Sequence, residues 1–288
     1  MNVHSGNKTA EVQPARLRKP HAPSSTGTLG KAVSLLDIVA GSGRPMRFTE
    51  ILALSDQPRG TLHRQLTNLL EEGFLSVNSD HTYELGFRLL RLASAAWANN
   101  RFRIAAEPHL HRLHELTGET VHLGVLKGTD VICLDKVEGR HSVRSYSQIG
   151  DTSPACCSGV GMAAMAGLAD DVLDALMQQM NFQHFTGSSP HTPDALRQNI
   201  NAIRKSGCAF DWQGRAPGVC SVAAPVHSPD RRFLAGISVD GPAFRATQDA
   251  LEGWAVLVSE AARAITDDMS TRLEPPTLTR DPKSGRRN

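Results

Sequence analysis

The chain of 288 residues sets 31 Lys and Arg against 29 Asp and Glu, a formal charge of +2, with 40% hydrophobic and 21% charged residues. Such a composition suits a globular protein of two domains and excludes a polycation, so any contact with nucleic acid must come from a local patch. The five cysteines form no C-x-x-C pair and are odd in number, which excludes a disulfide framework and reads as reduced thiols in a cytoplasmic protein.

No apolar run reaches the roughly 18 residues of a membrane span, and the N-terminus lacks the apolar core of a signal peptide. Residues 1–27 are rich in Pro, Ser, Lys and Arg without an apolar period and read as a disordered basic arm; 271–288, with Pro275, Pro276, Pro282 and Gly285, read as a disordered tail.

Between them, Ala32, Leu35, Leu36 and Val39 recur at helical spacing until Gly41 and Gly43 end the run. Thr49 is placed to cap a short helix over 50–54, and Ser55-Asp56-Gln57 reads as a turn. Pro58 suits the first position of a third helix, over 58–72, because its missing N–H is an orphan there anyway. Leu62, Leu66, Leu69 and Leu70 make its apolar stripe, and Gly73 stops it.

Two short strands follow, 74–77 and 82–85, joined by the turn Asn78-Ser79-Asp80-His81. Helix, helix, turn, helix, hairpin is the order of a winged helix-turn-helix, here assigned to 28–88.

A helix from Phe87 to about Trp97 leads through a linker, 89–102, to a second helix from near Ile104 to Thr117. Strand-like runs then cover 120–126, 130–137 and 143–146, helical stretches 159–180 and 193–205, strands 219–226 and 234–239, and a closing helix about 245–268. Clustered strands interrupted by helices and then resumed predict an α+β domain with a mainly antiparallel sheet over 103–270.

The face of the third helix opposite its leucines carries Gly60, Thr61, Arg64, Thr67 and Asn68, with His63 on the flank and no carboxylate. A recognition helix enters the major groove, whose edges offer N7, O6, O4 and amino groups. Arg64 suits a guanine edge or a phosphate, Asn68 suits adenine, Thr61 and Thr67 suit phosphate or a thymine methyl, and Gly60 lets the backbone come close. The wing tip, with Asn78, Ser79 and His81, is expected along the DNA backbone or in the minor groove, with Asp80 turned away.

On these residues the chain resembles the IclR family of bacterial transcriptional regulators. Gly30-Lys31-Ala32-Val33-Ser34-Leu35-Leu36 is similar to the family's opening helix. Gln57 through Leu66, Arg59 among them, resembles its recognition helix, and Gly73-Phe74-Leu75 with Tyr83-Glu84-Leu85-Gly86 its wing. Thr117 through Leu123, Gly218-Val219, Ala223-Ala224-Pro225-Val226 and Ile237 through Pro242 resemble its C-terminal half.

The resemblance implies a winged helix joined by a helix to a GAF/PAS-like effector domain. It also implies a homodimer or a dimer of dimers on double-stranded operator DNA. The implied effector is a small molecule, often a carboxylate or an aromatic catabolite, and the implied targets are catabolic genes. It places the effector site at Ser158, Gly159, Val160 and Gly161, whose backbone N–H groups begin a helix, and at Asp211, Ser221, Ser238 and Asp240.

The chain departs from the family pattern at Asp240, where a small polar residue is usual, at Met162, where Lys is usual, and near Gly214, where an acid is usual. A carboxylate at Asp240 repels an anionic ligand unless a cation or proton intervenes, which leaves a hydroxylated, amine-bearing or aromatic ligand open.

Other constellations carry less. His109, His111 and His114 put only two imidazoles on one face, too few for a metal site. Cys156-Cys157 reads as packing, and Ser158-Gly159-Val160-Gly161 lacks the flanks of a nucleophile turn or phosphate loop. The residues call for no metal, no cofactor and no enzyme. The alternative reading is a stand-alone metabolite-binding protein or enzyme that uses the winged helix as a protein contact.

Overall fold

The structure, a computed structural model, describes residues 27–141, 147–182, 186–190, 192–227 and 234–273. The chain divides into two compact units between Ala98 and Asn99.

The first unit comprises α1 (Gly27–Gly41), β1 (Met46–Arg47), α2 (Phe48–Leu54), α3 (Arg59–Glu71), β2 (Leu75–Val77), β3 (Thr82–Leu85) and α4 (Phe87–Ala98). Its core is the convergence of three helical stripes: Leu35, Ile38 and Val39 of α1, Ile51 of α2, and Leu62, Leu66 and Leu69 of α3, closed by Met46 and Leu75. Each fully buried leucine contributes roughly 1.5–3 kcal/mol.

Several local expectations change. Thr49 lies inside α2 and does not cap it; Glu50 closes that end by accepting from the Arg47 N–H at 2.7 Å while it pairs with Arg44. Pro58 is the N-cap of α3 and not its first helical residue. β1, only two residues long, pairs with β3 to make a three-stranded wing sheet in the order β1-β3-β2. The buried stripe of α3 also contains Gln65. Gly27, expected in the arm, begins α1.

The second unit comprises α5 (Arg101–Thr117), β4 (Thr120–Lys127), β5 (Asp130–Val137), β6 (Thr152–Pro154), a 3-10 turn (Ala155–Cys157), α6 (Gly159–Ala166), α7 (Asp170–Met177), α8 (Pro193–Ser206), β7 (Ala209–Trp212), β8 (Val219–His227), β9 (Leu234–Pro242) and α9 (Gln248–Leu273). The six strands form one antiparallel sheet in the order β6-β5-β4-β9-β8-β7. Phe102, Leu110 and Leu113 of α5 and Leu251, Val258 and Ile265 of α9 share a core with Val121, Leu123, Val222 and Ile237 of the sheet. A second core joins Met165 of α6, Leu173 of α7 and Leu196 and Ile200 of α8 to Ala209 and Ala223.

The helix expected over 159–180 is two helices broken at Gly167–Ala169. The strand expected at 143–146 lies outside the described residues, as do almost all of the arm and the tail; α9, however, runs on to Leu273. No helix among the described residues is long and apolar enough to cross a membrane.

The start of α6 sits against the sheet because glycine faces it. A Cβ on Gly236 would stand 2.6 Å from the Val160 carbonyl oxygen, and one on Gly124 would stand 2.5 Å from Val160 Cγ1. These absent side chains bring the N-terminal turn of α6 down onto β4 and β9 and define the floor of the site described next.

Candidate functional site

In the first unit, α3 presents Arg59, Gly60, His63, Arg64 and Asn68 to solvent, with Thr61 and Thr67 half-buried beside them. The Arg59 guanidinium lies 5.5 Å from the centre of the Phe48 ring, and the His63 ring lies 6.2 Å from the same ring, so Phe48 of α2 orients both. Thr67 Oγ1 donates to the His63 carbonyl at 3.0 Å; its proton is committed within the helix, which leaves the methyl and lone pairs for a partner.

The expectation of a carboxylate-free face holds from Arg59 to Asn68 but not for the whole helix. Glu71 is exposed seven residues after Arg64, on the same side. It stands in the last turn, about 18 Å along the axis from Arg59 at 1.5 Å per residue.

At the wing tip Ser79 and His81 are exposed, and His81 adopts a left-handed φ of 60°. Asn78 turns inward: its Nδ2 donates to Thr82 Oγ1 at 3.3 Å and Glu84 Oε2 at 3.2 Å. Asp80 folds back to accept from Thr82 Oγ1 at 2.7 Å, a bond that holds its carboxyl below the usual range.

In the second unit a cavity of about 260 Å³ opens on the sheet face that carries α6. Of the eight effector-site residues expected, Ser158, Gly159, Val160, Asp211, Ser221 and Asp240 line it, whereas Gly161 and Ser238 do not. Gly161 instead allows close packing, since a Cβ there would stand 2.4 Å from the Ala155 carbonyl oxygen. Ser238 acts through its neighbour, donating its hydroxyl to Asp240 Oδ1 at 2.6 Å.

Strand register assembles the polar wall: Asp211 of β7 pairs with Ser221 of β8, and Ser221 with Asp240 of β9, so the three side chains stand in one row. Asp211 lies in β7, a strand where the sequence predicted no element.

The cavity also takes in His122, Cys133, Ser147, Asp151 and Arg215, which sequence reasoning missed. His122 Nδ1 lies 3.3 Å from Asp240 Oδ2, an ion-pair contact more than an aligned hydrogen bond, and its Nε2 lies 2.5 Å from Ser147 Oγ. Burial works against the Asp240 carboxylate, but the charge of His122, with the His122 and Ser238 contacts, outweighs it and holds that carboxyl below its usual range.

Asp211 behaves oppositely. Burial, reinforced by the charge of Asp240, pushes its carboxyl up to about 6 even though the Gly214 and Gly159 N–H groups donate to it. Burial also pushes the Cys133 thiol up to about 11, which keeps it protonated and unreactive. Cys156 and Cys157 are buried and not joined by a disulfide, their sulfurs in hydrogen-bond contact at 3.3 Å. His109 pairs with Asp268 at 3.1 Å and His114 Nδ1 contacts the Glu119 carbonyl at 2.9 Å.

Residues 28–79 match the model of the IclR helix-turn-helix domain, and residues 95–267 that of the bacterial transcriptional regulator IclR C-terminal domain. The transcriptional regulator BhcR of Paracoccus denitrificans is 33% identical over 247 residues, covering 85% of this chain and 88% of that protein. The crystal structure of the Thermotoga maritima IclR protein superposes with a TM-score of 0.65 at 26% identity, over 84% of this chain and 98% of that one. An IclR homologue from Microbacterium hydrocarbonoxydans, complexed with 4-hydroxybenzoate, has the same fold at a TM-score of 0.72 and 22% identity, over 84% and 98% of the two chains.

With a helix-turn-helix in the first unit and a cavity-bearing antiparallel sheet in the second, and with family models matched across both, the chain belongs to the IclR family of transcriptional regulators.

Proposed function

We propose that α3 reads operator DNA through Arg59, Gly60, Thr61, His63, Arg64, Thr67 and Asn68, and that a small effector in the cavity of the second unit modulates that binding. The observation that carries the first half is the carboxylate-free outer face from Arg59 to Asn68, held on a leucine core. The N-terminal residues of a recognition helix are those that reach base edges, which puts Glu71 at the far end. Ser79 and His81 contact the sugar-phosphate backbone, while Asn78, bonded within the wing, shapes the turn.

The effector half is supported by the cavity itself and by the 4-hydroxybenzoate bound by the Microbacterium homologue. Ser158, Gly159, Val160, Asp211, Ser221 and Asp240 contact the effector, and Gly161 and Ser238 hold that wall in place. The domains are the winged helix (28–88), a linker helix (89–102) and the effector domain (103–270). The protein acts in the cytoplasm on catabolic genes as a homodimer or a dimer of dimers. Exposed Phe87, Leu90 and Leu92, on an α4 that buries none of its residues, support self-association.

The test is fluorescence anisotropy against the DNA flanking the chain's own gene at two salt concentrations. Tight, sequence-selective and salt-sensitive binding is expected. Binding indifferent to sequence would remove the groove assignment.

A further inference from the structure

The polar wall of the cavity is crowded with hydrogen-bond acceptors and short of available donors. Two of the first three amides of α6 are already taken: the Gly159 N–H donates to Asp211, and the Gly161 N–H donates to Ser158 Oγ at 3.1 Å. The His122 imidazole is held between Asp240 and Ser147. Arg215 is exposed at the rim; among the described residues it bonds to neither carboxylate, though its charge favours the ionised form of both.

Ser221, only 6% exposed, stands between the two aspartates in the strand register and faces the cavity. Among the described residues its hydroxyl has no partner. Asp211 is therefore a buried carboxylate with amide donors but no cation, next to a second carboxylate and an unused hydroxyl. Buried charges are normally paired.

We propose that the effector is a small zwitterionic amino compound whose primary ammonium group sits between Asp211 and Ser221, with its anionic end toward Arg215. An ammonium brings three donors and no acceptor: one serves the Asp211 carboxylate, one Ser221 Oγ, and one the neighbouring acceptor wall. Leu123, Val131, Val160 and Val219 line the remainder and accept an aliphatic body. A bare carboxylate in the interior would face Asp211 and Asp240 with the Gly159 and Gly161 amides occupied. A hydroxyl would satisfy hydrogen bonds but leave the charge of Asp211 uncompensated.

Burial and Asp240 are what raise the Asp211 carboxyl. A seated ammonium opposes both, as Arg215 does from the rim, so binding near pH 6 releases a proton. The proposal rests on the reading of this cavity as the effector site.

The test is calorimetry on the full chain with two matched sets of probes: leucine, 2-hydroxy-4-methylpentanoate and 4-methylpentanoate; and β-alanine, 3-hydroxypropionate and propionate. Within at least one set the amino member is expected to bind tightest, with proton release near pH 6. Asp211→Asn should weaken it by about ten- to a hundredfold, the range for loss of a charged hydrogen bond. Ser221→Ala, a smaller change that keeps the fold if Asp211→Asn does not, should weaken it by about three- to tenfold.

Tighter binding of a hydroxy or unsubstituted acid, amine binding untouched by both substitutions, or no binding by either set overturns the proposal. Operator binding by the ligand-free protein is measured separately. Its absence sinks the regulator reading, whereas its presence with no amine response sinks only the ligand class.

Discussion

Replacing Asp211 by Asn removes a titration that the fold makes unfavourable. In the unfolded chain this carboxyl has its ordinary value of 3.8; in the folded chain burial lifts it to about 6. A raised carboxyl binds its proton more tightly in the native state. Its contribution is therefore most favourable below the unfolded value and is lost as pH rises through the folded one. The full span, about 2 units, corresponds to roughly 3 kcal/mol, of which about 1 kcal/mol falls between about pH 5 and pH 7.

The amide is nearly the same size and its oxygen can still accept from the Gly214 N–H, a bond of 2.6 Å in the native protein. Urea unfolding of both proteins at the two pH values isolates the difference, because every other titrating group is common to them. The native protein should lose about 1 kcal/mol relative to Asp211→Asn on going to the higher pH. A difference that is flat with pH, or of opposite sign, would show that Asp211 is solvated in the native state and that the pairing argument for the ligand is wrong.

Arg64→Ala and Asn68→Ala should each reduce operator affinity by about 1–3 kcal/mol in anisotropy titrations while thermal melts stay within about 0.5 kcal/mol of the native protein. Leu66→Ala should destabilise the first unit by about 2–5 kcal/mol in urea, since the side chain is fully buried. Gly236→Ala forces a Cβ against the Val160 carbonyl; it should destabilise the second unit by about 1–3 kcal/mol and lower affinity for any ligand of the cavity, as read by calorimetry.

The helices were the legible part of this chain, because a 3.6-residue period over ten or more positions survives local noise. α3 shows both the strength and the limit of that signal: its leucines gave the buried side, yet Gln65 is buried among them because position on the helix outranks polarity. Short strands left little trace. β1 is two residues long and exists through its pairing with β3, and the four residues of β7 went unassigned because alternation over so few positions does not stand out from a loop.

The cavity residues that a motif could name were found. His122 and Cys133 were not, because they lie on strands whose neighbours in space, Ser238 and Gly124, are fixed by register and not by proximity in sequence. Arg215, Ser147 and Asp151 sit in loops, where no period exists to mark them.

The placing of β9 between β4 and β8 has a consequence for biosynthesis. Among the described strands, the one made last joins the two halves of the sheet, and it brings Asp240 with it. While the chain is still being made, neither half has its central neighbour until Pro242 has left the ribosome, and α9, which covers the seam, follows later still. The sensor thus has no ligand site to offer during most of its own synthesis, whereas the DNA-reading unit, complete by Ala98, can fold and search DNA before the part that governs it exists.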